Sequence, residues 1–240
     1  MSLLLRLMRS LGRERKTSAP TLYDIFLRNT RKDVTKWHHY FDIYEQYFVR
    51  HRGDPVTLLE IGVSQGGSLR MWSEYFGSSA RIYGIDIQPG AARYERNGVR
   101  IFIGDQADRS FLREVRDEIG PIDIVLDDGG HKMSQQIVTF EELYPVTKHL
   151  YVVEDTHSSY WPEFQDGPCT FVDYARAKVD ALYEWHLAPE SRTQHRLPPH
   201  KRPSVTPVSE FCASTRAIHF YDSVIVFEKG DNPPRWNEVR

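Results

Sequence analysis

The chain has 240 residues, 40% hydrophobic and 27% charged, with a formal net charge of −2. That is enough apolar sequence for one large globular domain, and the near-neutral balance excludes the global basic field that nucleic-acid binding needs. Its two cysteines, Cys169 and Cys212, are too few for a disulfide framework and wrongly spaced for a zinc knuckle, so they read as thiols in a reducing cytoplasm.

Residues 1–11, MSLLLRLMRSL, make a short apolar run broken by Arg6 and Arg9 and followed by Gly12, Arg13, Glu14, Arg15 and Lys16. The run is too short to span a bilayer and lacks a small-residue cleavage site, which speaks against an integral membrane segment and a signal peptide. The expectation is a basic amphipathic helix packed on the body or on another subunit, with peripheral membrane contact as the alternative. Such a helix leaves room for a homo-oligomer. This leader, 1–20, ends at Ser18-Ala19-Pro20, and a helical stretch rich in Tyr, Phe and His follows over 21–50.

From there, short runs rich in β-branched residues alternate with helical pieces. Strands are predicted over 57–61, 81–86, 99–103, 122–126 and 150–153, and helices over 68–76, 110–119 and 134–143. Alternation at this spacing implies a doubly wound, mostly parallel α/β sheet with helices on both faces. Residues 217–221 and 223–228 form two strands with almost no connection, which requires an antiparallel pair. The stretch 187–207, rich in Pro, Arg and His, reads as a long loop. It is mainly solvated, with 195–202 able to cover the site or grip an acidic acceptor.

Four groups of residues carry chemistry. The first is Glu60-Ile61-Gly62-Val63-Ser64-Gln65-Gly66-Gly67-Ser68 at a strand-to-helix turn. Glycines there allow close approach of a ligand, and helix-start N–H groups face it. The pattern is not the Gly-x-Gly-x-x-Gly of dinucleotide folds. Its acidic Glu60 suits a ligand with a cationic end, such as S-adenosylmethionine, better than a pyrophosphate. Glu60, Gly62, Ser64, Gly66 and Ser68 are therefore candidate cofactor contacts. The second group is Asp86 closing the second strand, with Ile87 after it; an acid at this position hydrogen-bonds a ribose diol. The third is Gly104-Asp105-Gln106, where Asp105 and Gln106 could bond an adenine, while Asp108 fits a helix cap.

The fourth group is Asp127-Asp128-Gly129-Gly130-His131 after the fourth strand and Glu154-Asp155 after the fifth. Neighbouring parallel strands would bring Asp128, Glu154 and Asp155 to one edge, where like charges are costly unless a cation neutralises them. Oxygen ligands indicate a hard ion, Mg2+ first, with Mn2+ or Ca2+ as alternatives. Asp128 also borders the cofactor turn. His131, beside the metal, is a candidate general base. Asp127 points the other way by strand alternation.

Taken together, the Leu59–Ser68 turn, Gly84-Ile85-Asp86, Gly104-Asp105-Gln106, Asp128-Gly129-Gly130-His131 and Glu154-Asp155 resemble class I methyltransferases. They look most like the sugar O-methyltransferases of macrolide and related antibiotic pathways, the mycinamicin and macrocin type, over roughly 35–165. The resemblance implies a seven-stranded sheet whose last strand runs antiparallel, so that 51–240 would be the methyltransferase domain behind an N-terminal helical segment over 1–50. It also implies S-adenosyl-L-methionine as cofactor, Mg2+ on Asp128, Glu154 and Asp155, His131 as base, and a small-molecule glycoside as acceptor. Lys36-Trp37-His38-His39-Tyr40 and Tyr44 resemble the segment that helps close over the cofactor. Aromatic rings in Thr156–Pro162 could stack on a sugar. Rival readings are a catechol-type or phenol O-methyltransferase, a nicotinamide-dependent oxidoreductase, and a non-catalytic binding module. A related group carries a hydroxylase label, and fold analogy alone does not exclude that chemistry.

Overall fold

The computed structural model describes residues 19–240; the expected amphipathic helix over 1–11 lies outside the described residues. Two short helices come first, α1 (Leu22–Arg28) and α2 (Tyr40–Phe48), joined by an extended strap over 29–39. The alternating body follows as β1 (Thr57–Ile61), α3 (Gly67–Phe76), β2 (Arg81–Asp86), β3 (Val99–Ile103), α4 (Arg109–Ile119), β4 (Ile122–Asp127), α5 (Met133–Leu143) and β5 (Thr147–Val153). The remainder holds α6 (Phe171–Ala181), the short α7 (Ser191–Gln194) and α8 (Glu210–Ser214), and the strands β6 (Thr215–Tyr221) and β7 (Val224–Lys229).

The seven strands form one sheet in the order β3-β2-β1-β4-β5-β7-β6. The first five are parallel, and β7 runs antiparallel to both β5 and β6. Strand β1 is buried along its whole length, as expected of a parallel strand covered on both faces. Successive residues feed opposite cores. Leu58, Ile124, Leu126, Leu150 and Val152 pack with Leu22, Tyr40, Tyr44, Phe48 and Trp72 on one face. Leu59, Ile61, Val125, Tyr151 and Val153 pack with Leu112, Val115, Phe140 and Phe171 on the other. Helices α1 and α2 thus share a core with the sheet. No helix among the described residues is long and apolar enough to cross a membrane.

Local chemistry sets the helix boundaries. Asp108 caps α4 as expected, its carboxylate accepting from Ser110 N at 2.9 Å and Phe111 N at 3.3 Å. The apolar positions Leu112, Val115 and Ile119 of α4 recur at helical spacing and face the sheet. Helices α4 and α5 are tied by Glu142, which accepts from Arg109 Nη1 and from Arg113 Nε and Nη2, each at 2.9 Å. The Arg113 and Arg109 guanidinium groups hold the Glu142 carboxyl down at about 2, below its ordinary 4.5.

A depressed folded pKa contributes stability that is present above the unfolded value and lost as pH falls through the folded one. Glu142→Gln should therefore cost about 1–2 kcal/mol near pH 7, allowing for solvent screening at the exposed arginines. The difference between variant and wild type should shrink as pH falls from 4.5 toward 2. Urea unfolding across that range measures it, and a pH-independent difference would remove the ion pair as its cause.

Candidate active site

A cavity of about 720 Å³ opens at the C-terminal ends of β1, β2, β4 and β5 and along the strap. The chain leaves β1 toward β2 and β3 and then returns to β4 on the other side. The crevice between β1 and β4 is thus the switch point where open α/β sheets bind ligands. Its walls include Gly62 and Ser64, Asp86 and Ile87, Gly104 to Gln106, Asp128 to His131, Glu154 and Asp155, and strap residues from Lys32 to His38. Lys32, Ser64, His131 and Asp155 all adopt positive φ, between 50° and 59°. Non-glycine residues seldom do so, and such strain collects at functional sites.

Ser64 and Ser68 reach the cavity, but Glu60 and Gly66 do not line it. Glu60 is fully buried behind the turn, where Oε2 accepts from Ser68 Oγ at 2.7 Å and Oε1 from Trp72 Nε1 at 3.1 Å. Strand pleating turns its side chain toward α3, so Glu60 braces the turn rather than facing a ligand. The glycines serve the packing of loops. A Cβ on Gly62, at φ 92°, would sit 2.1 Å from the carbonyl oxygen of Asp128. One on Gly66, at φ 70°, would sit 2.6 Å from the Tyr94 ring.

Burial pushes Glu60 up to about 7, from an ordinary 4.5, against the pull of Lys36. The folded protein then keeps this proton where the unfolded chain has released it, so stability falls as pH rises from 4.5 toward 7. Glu60→Gln should flatten that fall by up to about 3 kcal/mol, measured by urea unfolding at a series of pH values. An unchanged slope would refute the assignment.

Asp86 Oδ2 accepts from Val63 N at 3.0 Å and Ser64 N at 2.8 Å, and its Oδ1 from Gln88 N at 2.8 Å. The carboxylate ties two loops together at the cavity wall and keeps lone pairs to spare, which leaves the ribose role open to it. Ile87, 58% exposed beside it, offers an apolar surface. Asp105 Oδ1 accepts from Ala107 N. Gln106, expected to reach an adenine, is committed internally. Its Nε2 donates to Asp127 Oδ1 and Thr139 Oγ1, and its Oε1 accepts from Gly130 N at 2.7 Å. It thereby fixes the loop that carries His131. Asp127 faces away from the cavity, as alternation predicts, and is wholly buried.

The carboxylates do not converge as a simple trio. One donor atom each from Asp128, His131 and Asp155 lies within 4.8 Å of the others, a grouping able to hold a metal ion. His131 Nε2 is 3.9 Å from Asp128 Oδ1 and 3.6 Å from Asp155 Oδ2, while Ser158 Oγ anchors the His131 carbonyl. Asp155 Oδ1 accepts from Tyr40 Oη at 2.6 Å. Glu154 is drawn aside: Tyr44 Oη donates to its Oε1 and Lys36 Nζ to its Oε2, the latter at 2.7 Å. The same Lys36 Nζ donates to Asp128 Oδ2 at 2.5 Å. Burial and Asp128 push Glu154 up and Lys36 pulls it down; because both oxygens accept, the ionised pair is the state the geometry supports.

Two carboxylates and an imidazole opening on a cavity fit a hard divalent cation. A 720 Å³ crevice fits a nucleoside-sized ligand. Lys36, Tyr40 and Tyr44, which the sequence places in the segment before β1, reach these acids directly, a contact that the sequence does not show.

The FtsJ-like methyltransferase family profile matches residues 37–156, half of the chain, from the strap through β5 and the acidic strand ends. The chain belongs to this methyltransferase family. The chain is 37% identical over 217 residues to the 8-demethyl-8-alpha-L-rhamnosyl tetracenomycin-C 2'-O-methyltransferase of Streptomyces olivaceus, covering 84% of this chain and 53% of the relative. It is 31% identical over 212 residues to the mycinamicin VI 2''-O-methyltransferase of Micromonospora griseorubida, covering 80% and 49%. Among solved structures it is similar to the MycE methyltransferase in complex with Mg, SAH and mycinamycin VI. There the TM-score is 0.75 at 29% identity, covering 91% of this chain and 56% of that one. The chain therefore spans about half the length of these relatives. Family membership removes the nicotinamide reading. The 187–207 loop does not reach the cavity. It packs on the C-terminal residues, with Asn237 N donating to His195 O and Arg202 Nη2 to Arg235 O.

Proposed function

We propose that the protein transfers a methyl group from S-adenosylmethionine to a sugar hydroxyl of a glycosylated polyketide, with a divalent cation at the site. The observation that carries this reading is the meeting of Asp128, His131 and Asp155 at one end of the crevice whose other walls are the Ser64 turn and Asp86. The tetracenomycin and mycinamicin relatives, named for sugar O-methylation, support the acceptor class.

Asp128 and Asp155 would hold the cation, with Glu154 one residue away on the same strand end. A bound cation supplies Lewis acidity that lowers the pKa of a neighbouring hydroxyl. His131 Nε2 faces the same point and would accept the hydroxyl proton as that oxygen bonds to the methyl carbon and the methyl–sulfur bond breaks, releasing S-adenosylhomocysteine. The Ser158 hydroxyl, donating to the His131 carbonyl, fixes the backbone that carries the ring. Asp86 would receive the ribose diol, and Ser64 and Ile87 would flank the cofactor. On the acceptor side, Trp37 and Trp161, 56% and 46% exposed, flank His157 with ring centroids 5.9 and 4.6 Å away. They form an aromatic rim suited to a sugar face and its aglycone.

The test is incubation with S-adenosylmethionine, Mg2+ and rhamnosylated or deoxysugar-bearing polyketides, read by mass spectrometry. A gain of one methyl on the sugar supports the reading. Methylation of simple catechols with none on glycosides would replace it by the phenol reading.

A further inference from the structure

A lysine ammonium occupies the space between two of the acids expected to bind metal. Lys36 has a side chain only 2% exposed, and its Nζ bridges Asp128 Oδ2 at 2.5 Å and Glu154 Oε2 at 2.7 Å. It stands on the strap between α1 and α2, in contact with the cavity along Lys32 to His38. The strap has a second anchor at Asp33, which accepts from Arg70 of α3 and, at 2.9 Å, from Asn29 Nδ2. Its extended backbone has no strand partner among the described residues, so side-chain anchors, these two and the His38 and His39 rings near its end, hold much of its position.

We propose that Lys36 is a latch: its ammonium serves as the counter-ion of Asp128 and Glu154 in the metal-free protein, and a divalent cation must displace it to recruit Glu154, releasing the strap over the cavity. This rests on the metal-dependent reading above and extends it to the strap.

Electrostatics sets the direction. The buried Glu154 and the half-buried Asp128 carboxylates need a cation between them, and either the ammonium or the metal satisfies that need. Both together would crowd like charges onto one oxygen pair. Glu154 holds Tyr44 through its other oxygen, so the exchange can occur with Glu154 already oriented. Asp155 and His131 make no contact with Lys36, and their half of the site stays formed when the latch opens. Cation binding and strap position are then linked, and each shifts the other by the same factor.

Two measurements test this on the full chain. Binding of Mn2+ alone is measured by titration calorimetry and electron paramagnetic resonance for the wild type and Lys36→Met, with the fold of each checked by circular dichroism. Hydrogen exchange over 29–39 is followed in the wild type with and without Mn2+, which requires no variant. The latch predicts at least tenfold tighter Mn2+ binding by Lys36→Met and faster wild-type exchange in the strap when Mn2+ is present. Equal affinities with an unchanged strap would overturn the latch and leave the metal site standing. Absence of Mn2+ binding in both proteins would overturn the metal-dependent reading and the latch with it.

Discussion

His131→Ala is expected to lower kcat by about 10²- to 10⁴-fold, the contribution of a positioned general base, while Mg2+ and S-adenosylmethionine affinities change little. His131 Nε2 lies 3.6 Å from Asp155 and 3.9 Å from Asp128, near enough to share their ligand or to serve the acceptor beside it. These roles separate in the measurement. A base removed leaves calorimetric metal binding intact while kcat falls. A ligand removed weakens metal binding in step with kcat, and that result would move His131 into the coordination set.

The second large effect is expected at Asp155. Asp155→Asn keeps an oxygen to accept from Tyr40 Oη, the 2.6 Å bond of the wild type, yet removes the charge facing Asp128 and His131. Divalent-cation affinity should fall on the order of 10²-fold or more, with activity falling alongside it. Stability should hardly change, because Tyr40 keeps its partner and Asp155 borders solvent in the cavity. Mn2+ titration and thermal unfolding of the same samples check both halves. Unchanged metal affinity would place the cation elsewhere, whereas a collapse of stability would show that the carboxylate holds α2 in place.

Most of the sheet could be read from sequence because its strands are short apolar runs whose alternation also fixes which core each residue enters. Ile122 to Leu126 and Arg81 to Asp86 became β4 and β2 almost to the residue, and Asp108 capped α4. The position of the site was legible from the strand ends, and Asp86, Asp128 and Asp155 all line the cavity as that placement requires. A residue's role was not legible where it depends on a partner far along the chain. Lys36 meets Asp128 and Glu154 across 92 and 118 residues, and no local pattern shows that a lysine in an aromatic segment will be buried. Glu60 misled for the related reason that its partners, Ser68 and Trp72, are set by the packing of α3. Gln106 lines the cavity as expected, but its amide is already used by Asp127, Thr139 and Gly130, which no local pattern shows.

The wiring of the sheet divides labour along the chain. Everything that would grip the cofactor lies before the end of β5, whereas the stretch between β5 and β6, from Glu154 to Ser214, leaves the sheet and returns to it. Strand β7 then slots between β5 and β6, so the excursion departs from an interior strand, β5, and returns at the edge strand, β6. An insertion fastened in this way can vary in length and composition without disturbing the parallel strands beneath. On the proposed reading, the part of the excursion beyond Asp155 would be the place for acceptor preference to vary without altering the residues that line the cofactor end of the crevice.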